Sequence, residues 1–431
     1  MKIFRKFLNS PDKKRLFSNF VSLAVLQGAN YILPLITFPY LVRVLGVEKF
    51  GLLAFATATV TYFQILTDYG FNLSATRDIS IHRENKEKVQ EIFSSVMVIK
   101  FGLLILSFIL LIILVFSFDK FRKDWEVFVL SFGMVVGQVL FPVWFFQGME
   151  KMKYITILNI FAKLLFTVAI FVFVKEQADY WKVPLLNSLG FILAGVLALW
   201  IIFRDFGIKF PLKASKNNLI LQLKKGFYLF LSSGFLSLYR SSNSFIIGLI
   251  LNNTYVGYYS IAEKIIYTIQ SLQDIVGRAL YPYFAKKFRN AFEFTLFFKK
   301  IVFLLVTIYL SITLLTISFS TFLIILISGK DEIIISNLLR IMSIVILVGG
   351  LNYWLGILGF TSLGNYKIFM NGVLIAGISN LALCVILLIL IGIYGAGLSL
   401  LLSEIILLIY LSLNLRKIIK IEKVAYERNL S

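Results

Sequence analysis

The sequence is poor in the residues that soluble enzymes and secreted folds rely on. It has one cysteine, Cys384, so no disulfide can form within the chain. It has one histidine, His82, in a charged segment with no cysteine or second histidine to complete a metal site. Cys384 lies in the apolar run Leu381-Ala382-Leu383-Cys384-Val385 and reads as filler. Acidic residues are scarce, 22 against 43 Lys and Arg. No GxxxxGK[ST] phosphate loop, HExxH zinc helix or GxSxG nucleophile elbow occurs, so no cofactor, metal or ATP site is expected. The apolar runs are too long for barrel strands and lack their alternation, which argues against a membrane β-barrel.

Apolar residues are abundant. Of 431 residues, 59% are hydrophobic, and the mean hydropathy is +0.88. Soluble domains hold roughly 45–50% apolar residues, and one core could not bury this excess. A bilayer can, because it asks for runs of about 20 apolar residues. Such runs fall at about 18–42, 50–76, 89–117, 125–146, 154–174, 183–203, 222–250, 255–283, 296–328, 333–359, 368–391 and 393–415. The expectation is an all-α integral membrane protein of about twelve transmembrane helices. Two links are very short, Asn252-Asn253-Thr254 and Gly392.

The formal charge of +21 would suggest nucleic acid in a soluble protein. Here Lys and Arg concentrate in short segments between apolar runs, with no basic stripe interleaved with aromatics, so no nucleic-acid partner is expected. Counted by loop, the excess falls on one side of the membrane: Lys13, Lys14 and Arg15, then Arg77 to Lys88, Arg204 to Lys225, Lys286 to Lys300, and Arg416 to Arg428. The positive-inside rule therefore places both termini in the cytoplasm. Met1 to Ser18 is basic but has no small-residue cleavage site, and reads as a cytoplasmic tail. The opposite loops are short and leave no room for a catalytic domain. The central inside loop around Asn217-Asn218 divides the chain into 1–210 and 211–431, with six spans in each part.

The halves carry a trace of repetition. One fixed offset places Gly51 on Gly257, Gln64 on Gln270, Leu66 on Leu272 and Asp68 on Asp274. Six spans per half keep equivalent helices in the same orientation, which predicts two six-helix lobes related by a pseudo-two-fold axis along the membrane normal. The matched residues lie on polar stripes, Thr57, Thr61, Gln64 and Asp68 in one half and Glu263, Tyr267, Gln270 and Asp274 in the other. The spacing keeps each stripe on one helix face, directed at a partner helix or a water-filled cavity rather than lipid. A cavity lining is the preferred reading.

Six cations, Lys100, Lys163, Arg240, Lys264, Arg278 and Arg340, and four anions, Asp68, Glu263, Asp274 and Glu404, lie within the spans. Each costs about 2.5–3.5 kcal/mol near the bilayer centre, so they are paired or used. A cavity lined by this set, with Gln64 and Gln270, would be net cationic and would attract an anionic solute. Arg240, central in its span and flanked by Tyr239, Ser241, Ser242, Asn243 and Ser244, is the foremost ligand contact. Lys100 and Arg278 lie close enough to the cytoplasmic face that snorkelling is an equal alternative. The four carboxylates are the groups that a coupling ion, proton or sodium, would need, or else they balance the cavity cations. Pro34, Pro39 and Pro142 are expected to kink their helices.

Three stretches carry a specific resemblance. Leu26-Gln27-Gly28-Ala29-Asn30-Tyr31-Ile32-Leu33-Pro34-Leu35-Ile36-Thr37-Phe38-Pro39-Tyr40-Leu41-Val42-Arg43, with Gly46 to Gly51 after it, resembles the opening helix of Wzx-type O-antigen flippases. Asp68-Tyr69-Gly70-Phe71-Asn72-Leu73-Ser74-Ala75-Thr76 is similar to the end of that family's second helix, and Trp144-Phe145-Phe146-Gln147-Gly148-Met149-Glu150-Lys151-Met152 to its span 4–5 loop. The second half matches in span pattern and in Ala279-Leu280-Tyr281-Pro282. The family sits in a superfamily with MATE-type drug exporters and the lipid II flippase. The resemblance implies alternating access without ATP hydrolysis in the bacterial cytoplasmic membrane. The implied cargo is an undecaprenyl-pyrophosphate-linked oligosaccharide, with the polymerase and chain-length regulator of the same pathway as partners. Arg and Lys would replace the hydration of the pyrophosphate, with Arg able to bind it bidentately. The main alternative is an ion-coupled MATE-like exporter of small cations, which calls for a cavity dominated by carboxylates. An O-antigen polymerase or ligase would need a large outside loop.

Overall fold

The computed structural model describes residues 11–209, 214–288 and 290–428. Side chains of residues 11–24, 31, 232, 233, 235–241, 279 and 421–428 lie outside the description. The described residues are helical almost throughout and contain no strand.

The first unit, Met1–Ser237, opens with α1, Pro11–Asp68, which leaves helical geometry only at Gly46 (φ 74°, ψ 167°). Only glycine enters that region without strain, so the expected loop at 43–49 shrinks to one residue. Pro34 and Pro39 stay inside the helix, and the Thr37 hydroxyl bonds back to Leu33 O at 3.2 Å. Then follow α2 (Phe71–His82), α3 (Lys86–Ser117), the short α4 (Asp119–Arg122), α5 (Trp125–Leu140), α6 (Val143–Gly148), α7 (Met152–Phe173), a 3-10 turn at Gln177–Trp181, and α8 (Lys182–Asp205). Asn85 caps α3 by accepting from the Lys88 backbone N–H at 3.0 Å. Two expected spans are interrupted. The 50–76 span breaks at Tyr69 and Gly70, both at positive φ, and the 125–146 span breaks at Phe141-Pro142, where proline removes a donor.

The second unit is Leu238–Ser431, and α9 (Lys216–Ile250) contributes residues to both units. After it come α10 (Asn253–Lys287), α11 (Ala291–Ser318), α12 (Ser320–Ser328), α13 (Ile333–Tyr353), a π-helix at Trp354–Thr361, α14 (Tyr366–Ile391) and α15 (Ile393–Arg428). Both short links are real helix breaks. Asn252 caps α10 through the Tyr255 N–H, and Gly392 turns between α14 and α15 at φ 64°. The expected 296–328 span is divided at Phe319, and the 333–359 span ends as the π-helix.

Nine helical stretches among the described residues are long and apolar enough to cross a membrane, the first being Val25–His82 with its break at Gly46. Neither α9 nor α10 is among the nine, and α10 carries Glu263, Lys264, Asp274 and Arg278 along its length.

Each unit has its own aromatic core. In the first, Phe71, Phe93, Trp144, Phe145 and Phe146 are fully buried. Three of them belong to the Trp-Phe-Phe-Gln-Gly stretch of α6. Gly148 ends that stretch against α2, where a Cβ would lie 2.6 Å from Ile79 Cβ. The conspicuous motif is therefore a packing device that fixes α2 to α6. In the second unit, Phe284, Phe288, Phe294 and Phe360 form the equivalent cluster.

Candidate functional site

The polar side chains inside the helices form separate groups within each unit. In the first unit, Lys100 of α3 is 1% exposed, with Nζ 3.9 Å from Asp68 Oδ1 at the end of α1. Lys100 therefore does not snorkel, because its ammonium turns inward to the half-buried Asp68 carboxylate. The distance exceeds hydrogen-bond reach, and Oδ1 is buried with no hydrogen-bond partner. Gln138 of α5 donates to the backbone carbonyl of Gln64 at 3.4 Å. Lys163 of α7 donates to Asn30 Oδ1 on α1 at 2.5 Å.

The stripe on α1 is more self-contained than its spacing suggests. Thr57 and Thr61 each donate to the carbonyl one turn earlier, Leu53 O and Thr57 O, both at 2.8 Å. A hydroxyl satisfied by its own helix needs neither partner helix nor water. The inference that all four positions must avoid lipid is corrected to Gln64 and Asp68.

In the second unit, Gln270 of α10 donates to Val345 O at 3.3 Å and Gln273 to Gly350 O at 3.5 Å, both on α13. Asn352 of α13 donates to the backbone oxygen of Glu404 at 2.9 Å and to its Oε2 at 2.6 Å. Gly349 opens the space between them, since a Cβ there would stand 2.6 Å from Gln270 Nε2 and 3.7 Å from Glu404 Oε2. Gln270, Asn352 and Glu404 thus form one cluster across α10, α13 and α15. A second chain links α14 to α10. Asn380 donates to Asn243 Oδ1 at 2.8 Å, Asn243 donates to Tyr259 Oη at 3.0 Å, and the Tyr259 hydroxyl bonds the Glu263 carboxylate one turn on.

The remaining expected residues are placed differently. Lys264 and Arg278 are exposed on α10, and Asp274 is half-buried. Arg340 is engaged in local contacts, with bonds to Ser320 (2.9 Å), Asn337 (3.0 Å) and Thr321 (3.2 Å) that tie α13 to α12. Arg240 lies on α9 with its side chain outside the described residues.

Sequence reasoning missed Asp78, Gln138, Asn352 and Asn380, and took Asn243 only as a polar neighbour of Arg240. Asp78 of α2 is 4% exposed and accepts from Lys225 Nζ at 2.5 Å and Gln222 Nε2 at 3.2 Å. In sequence it stands among loop charges, with Arg77 before it and Arg83 after it. The signal for Gln138 and the asparagines is their place inside apolar runs, because an amide in hydrocarbon demands a partner just as a charge does.

The helix order and the polar groups buried within a bundle of membrane-length helices define an all-helical multi-pass membrane fold. The same fold is seen in an inward-facing MATE-family multidrug resistance transporter of the MOP superfamily, with a TM-score of 0.68 at 14% identity over 94% of this chain and 99% of that one. It is seen again in the lipid II flippase MurJ in an inward closed conformation, with a TM-score of 0.62 at 16% identity over 93% and 87%. The chain belongs to the polysaccharide biosynthesis protein family, which it matches over residues 16–288. The match passes well beyond the first 152 residues, through α9 and α10. Two relatives, from Escherichia coli (strain K12) and Shigella dysenteriae, both bear the name "Putative O-antigen transporter". The first is 36% identical over 63% of this chain and 65% of its own length. The second is 28% identical over 62% and 67%. The chain thus matches just under two thirds of the Escherichia coli relative.

Proposed function

We propose that this protein is a flippase for a lipid-linked surface-polysaccharide unit. It moves an undecaprenyl-pyrophosphate-linked O-antigen repeat unit from the cytoplasmic to the periplasmic leaflet of the bacterial inner membrane. In this proposal the chain crosses the membrane about twelve times. The count takes α1 as two spans at Gly46 and includes the polar α9 and α10. Both termini are cytoplasmic, and residues 1–210 and 211–431 supply six spans each. The reaction is transport by alternating access, with a proton or sodium gradient as the energy source and no bond made or broken in the cargo.

The observation that carries this reading is membership of a polysaccharide biosynthesis family within a transporter fold. The fold alone suits a drug exporter equally well. The charges favour an anionic cargo. Arg240, Lys264 and Arg278 lie on α9 and α10, the two least apolar long helices, and would take the pyrophosphate. Neutral amides such as Gln270 and Gln64 would meet sugar hydroxyls.

The test is lipid analysis of a strain lacking the gene. Build-up of undecaprenyl-pyrophosphate-linked oligosaccharide on the cytoplasmic side, with loss of surface polysaccharide, is expected. Unchanged lipid intermediates together with new sensitivity to cationic drugs would replace the flippase by the exporter.

A further inference from the structure

The end of α1 joins a charge pair, with its lysine buried and its carboxylate half-buried, to the seat of another helix. Asp68 is the last residue of α1, with Lys100 Nζ 3.9 Å from its Oδ1 and the Gly70 backbone N–H facing its carboxylate. Oδ1 itself accepts no hydrogen bond. The next two residues leave helical geometry together, Tyr69 at φ 48° and Gly70 at φ 74°. A bulky residue at positive φ persists only where its surroundings hold it there.

What surrounds that turn is the first half of α9. A Cβ on Gly70 would lie 2.9 Å from Gly226 O and 2.8 Å from Phe230 N, and a Cβ on Gly226 would lie 2.7 Å from Tyr69 O. The two backbones therefore touch through glycines. The Tyr69 ring stacks on Phe230 with centroids 5.1 Å apart and planes 12° from parallel. Nearer the start of α9, Gln222 and Lys225 close on Asp78. All of these residues belong to the first unit, and α9 continues unbroken to Ile250.

We propose that Asp68 is a proton-operated latch for α9. Charged, Asp68 attracts Lys100 and orders the Gly70 N–H, which holds the Tyr69–Gly70 turn in the shape that seats Gly226 and Phe230. When a proton adds to the carboxylate, Asp68 loses both its ion-pair attraction to Lys100 and its charge-assisted hydrogen bond. The turn is then free to relax and α9 to shift along its length. The other ionisable groups near this point do not compete. Lys225 is bonded to Asp78, Tyr62 and Tyr69 are phenols on or beside α1, and α5 brings the amide of Gln138 to the Gln64 carbonyl, with its one carboxylate, Glu126, at the opposite end of the helix. The proposal rests on the transport reading for its purpose, as the place where a coupling proton is sensed, but its physical content does not depend on the cargo.

The single native cysteine makes the test direct. In a Cys384→Ser background, Gln222→Cys places a thiol at a position that is 3% exposed while α9 is docked. Its labelling by N-ethylmaleimide is followed in membrane vesicles without cargo, normalised to a cysteine at exposed Lys216, at neutral and mildly acid pH. Asp68→Asn should speed labelling about tenfold, within the ordinary range of coupling between sites. It should also erase the difference between the two pH values. Lys100→Met should act the same way, and Lys100→Arg should keep labelling slow. If Asp68→Asn alone does not fold, the Asp68→Asn/Lys100→Met pair removes both charges and should still label fast. Labelling that stays equally slow at both pH values, whether Asp68 is present or replaced, overturns the latch. Failure of the lipid-accumulation test would leave this result standing, so the two readings fail separately.

Discussion

The end of α1 and the matching stretch of α10 share Gln and Asp at the same spacing, yet the chain treats them differently. In the first unit the stripe stops at Asp68, where Tyr69 and Gly70 turn the backbone through positive φ. In the second, α10 runs on past Asp274 to Lys287. The residues that follow explain the contrast. The fixed offset sets Gly70 opposite Val276 and Tyr69 opposite Ile275. Glycine enters the left-handed region freely, whereas consecutive β-branched residues do not and keep the helix going. The amides differ too. Gln64 serves through its backbone carbonyl, while Gln270 donates from its side chain to α13. A repeat detected in side chains thus does not guarantee a repeat in geometry, because one glycine after the motif decides whether the helix ends.

The largest expected effect comes from breaking the charge pair on one side only. Lys100→Met leaves Asp68 without its buried counter-charge and should destabilise the protein by about 3–5 kcal/mol. The Asp68→Asn/Lys100→Met double variant should recover most of that loss, since matched neutral groups need no counter-charge. Thermal unfolding of the detergent-solubilised protein reads both. A double variant as unstable as the single would mean that Lys100 is held by packing and not by Asp68.

Gly70→Val makes the first unit resemble the second at the deciding position. The new Cβ would stand 2.7 Å from Leu229 Cβ and 2.8 Å from Phe230 N. Overpacking costs about 1–3 kcal/mol and a left-handed L-residue about 1–2 kcal/mol more. The amount of folded protein in the membrane should fall accordingly. The reciprocal Val276→Gly leaves α10 helical and should cost only about 1 kcal/mol, the ordinary penalty of glycine in a helix.

A smaller effect is expected at Asn352, the donor to Glu404 in the second unit. Asn352→Leu removes two hydrogen bonds, one of them to a carboxylate, and should cost about 1.5–3 kcal/mol. Asn352→Gln should not restore the loss, because the longer side chain cannot reach both acceptors from the same backbone position. Retention of full thermal stability in Asn352→Leu would mark the Asn352–Glu404 contact as dispensable.

Much of the architecture was legible in the sequence because it depends on local composition. The apolar runs, the caps at Asn252 and Gly392, and the break at Pro142 all follow from residues within a turn of the feature. Charge positions were legible, but their partners were not. Lys163 meets Asn30 and Lys225 meets Asp78 across more than a hundred residues, and no local pattern encodes that. The three prolines look alike in sequence, yet only Pro142 interrupts its helix. At Pro34 and Pro39 the backbone keeps helical geometry and the helix continues to Gly46.

The smallest expected effect separates the two meanings of the α1 stripe. Thr61 donates to Thr57 O on its own helix, so Thr61→Val removes a hydroxyl while leaving that carbonyl its backbone bond. Val has nearly the same shape, and stability should change by no more than about 0.5 kcal/mol. Transport then decides. If glycan display by Thr61→Val matches that of the parent, the hydroxyl serves only its own helix and the functional stripe is confined to Gln64 and Asp68. If display falls while thermal stability holds, Thr61 has a second partner during transport. The stripe would then line the cargo's path along its whole length, and the contrast between α1 and α10 would lie in backbone shape alone and not in use.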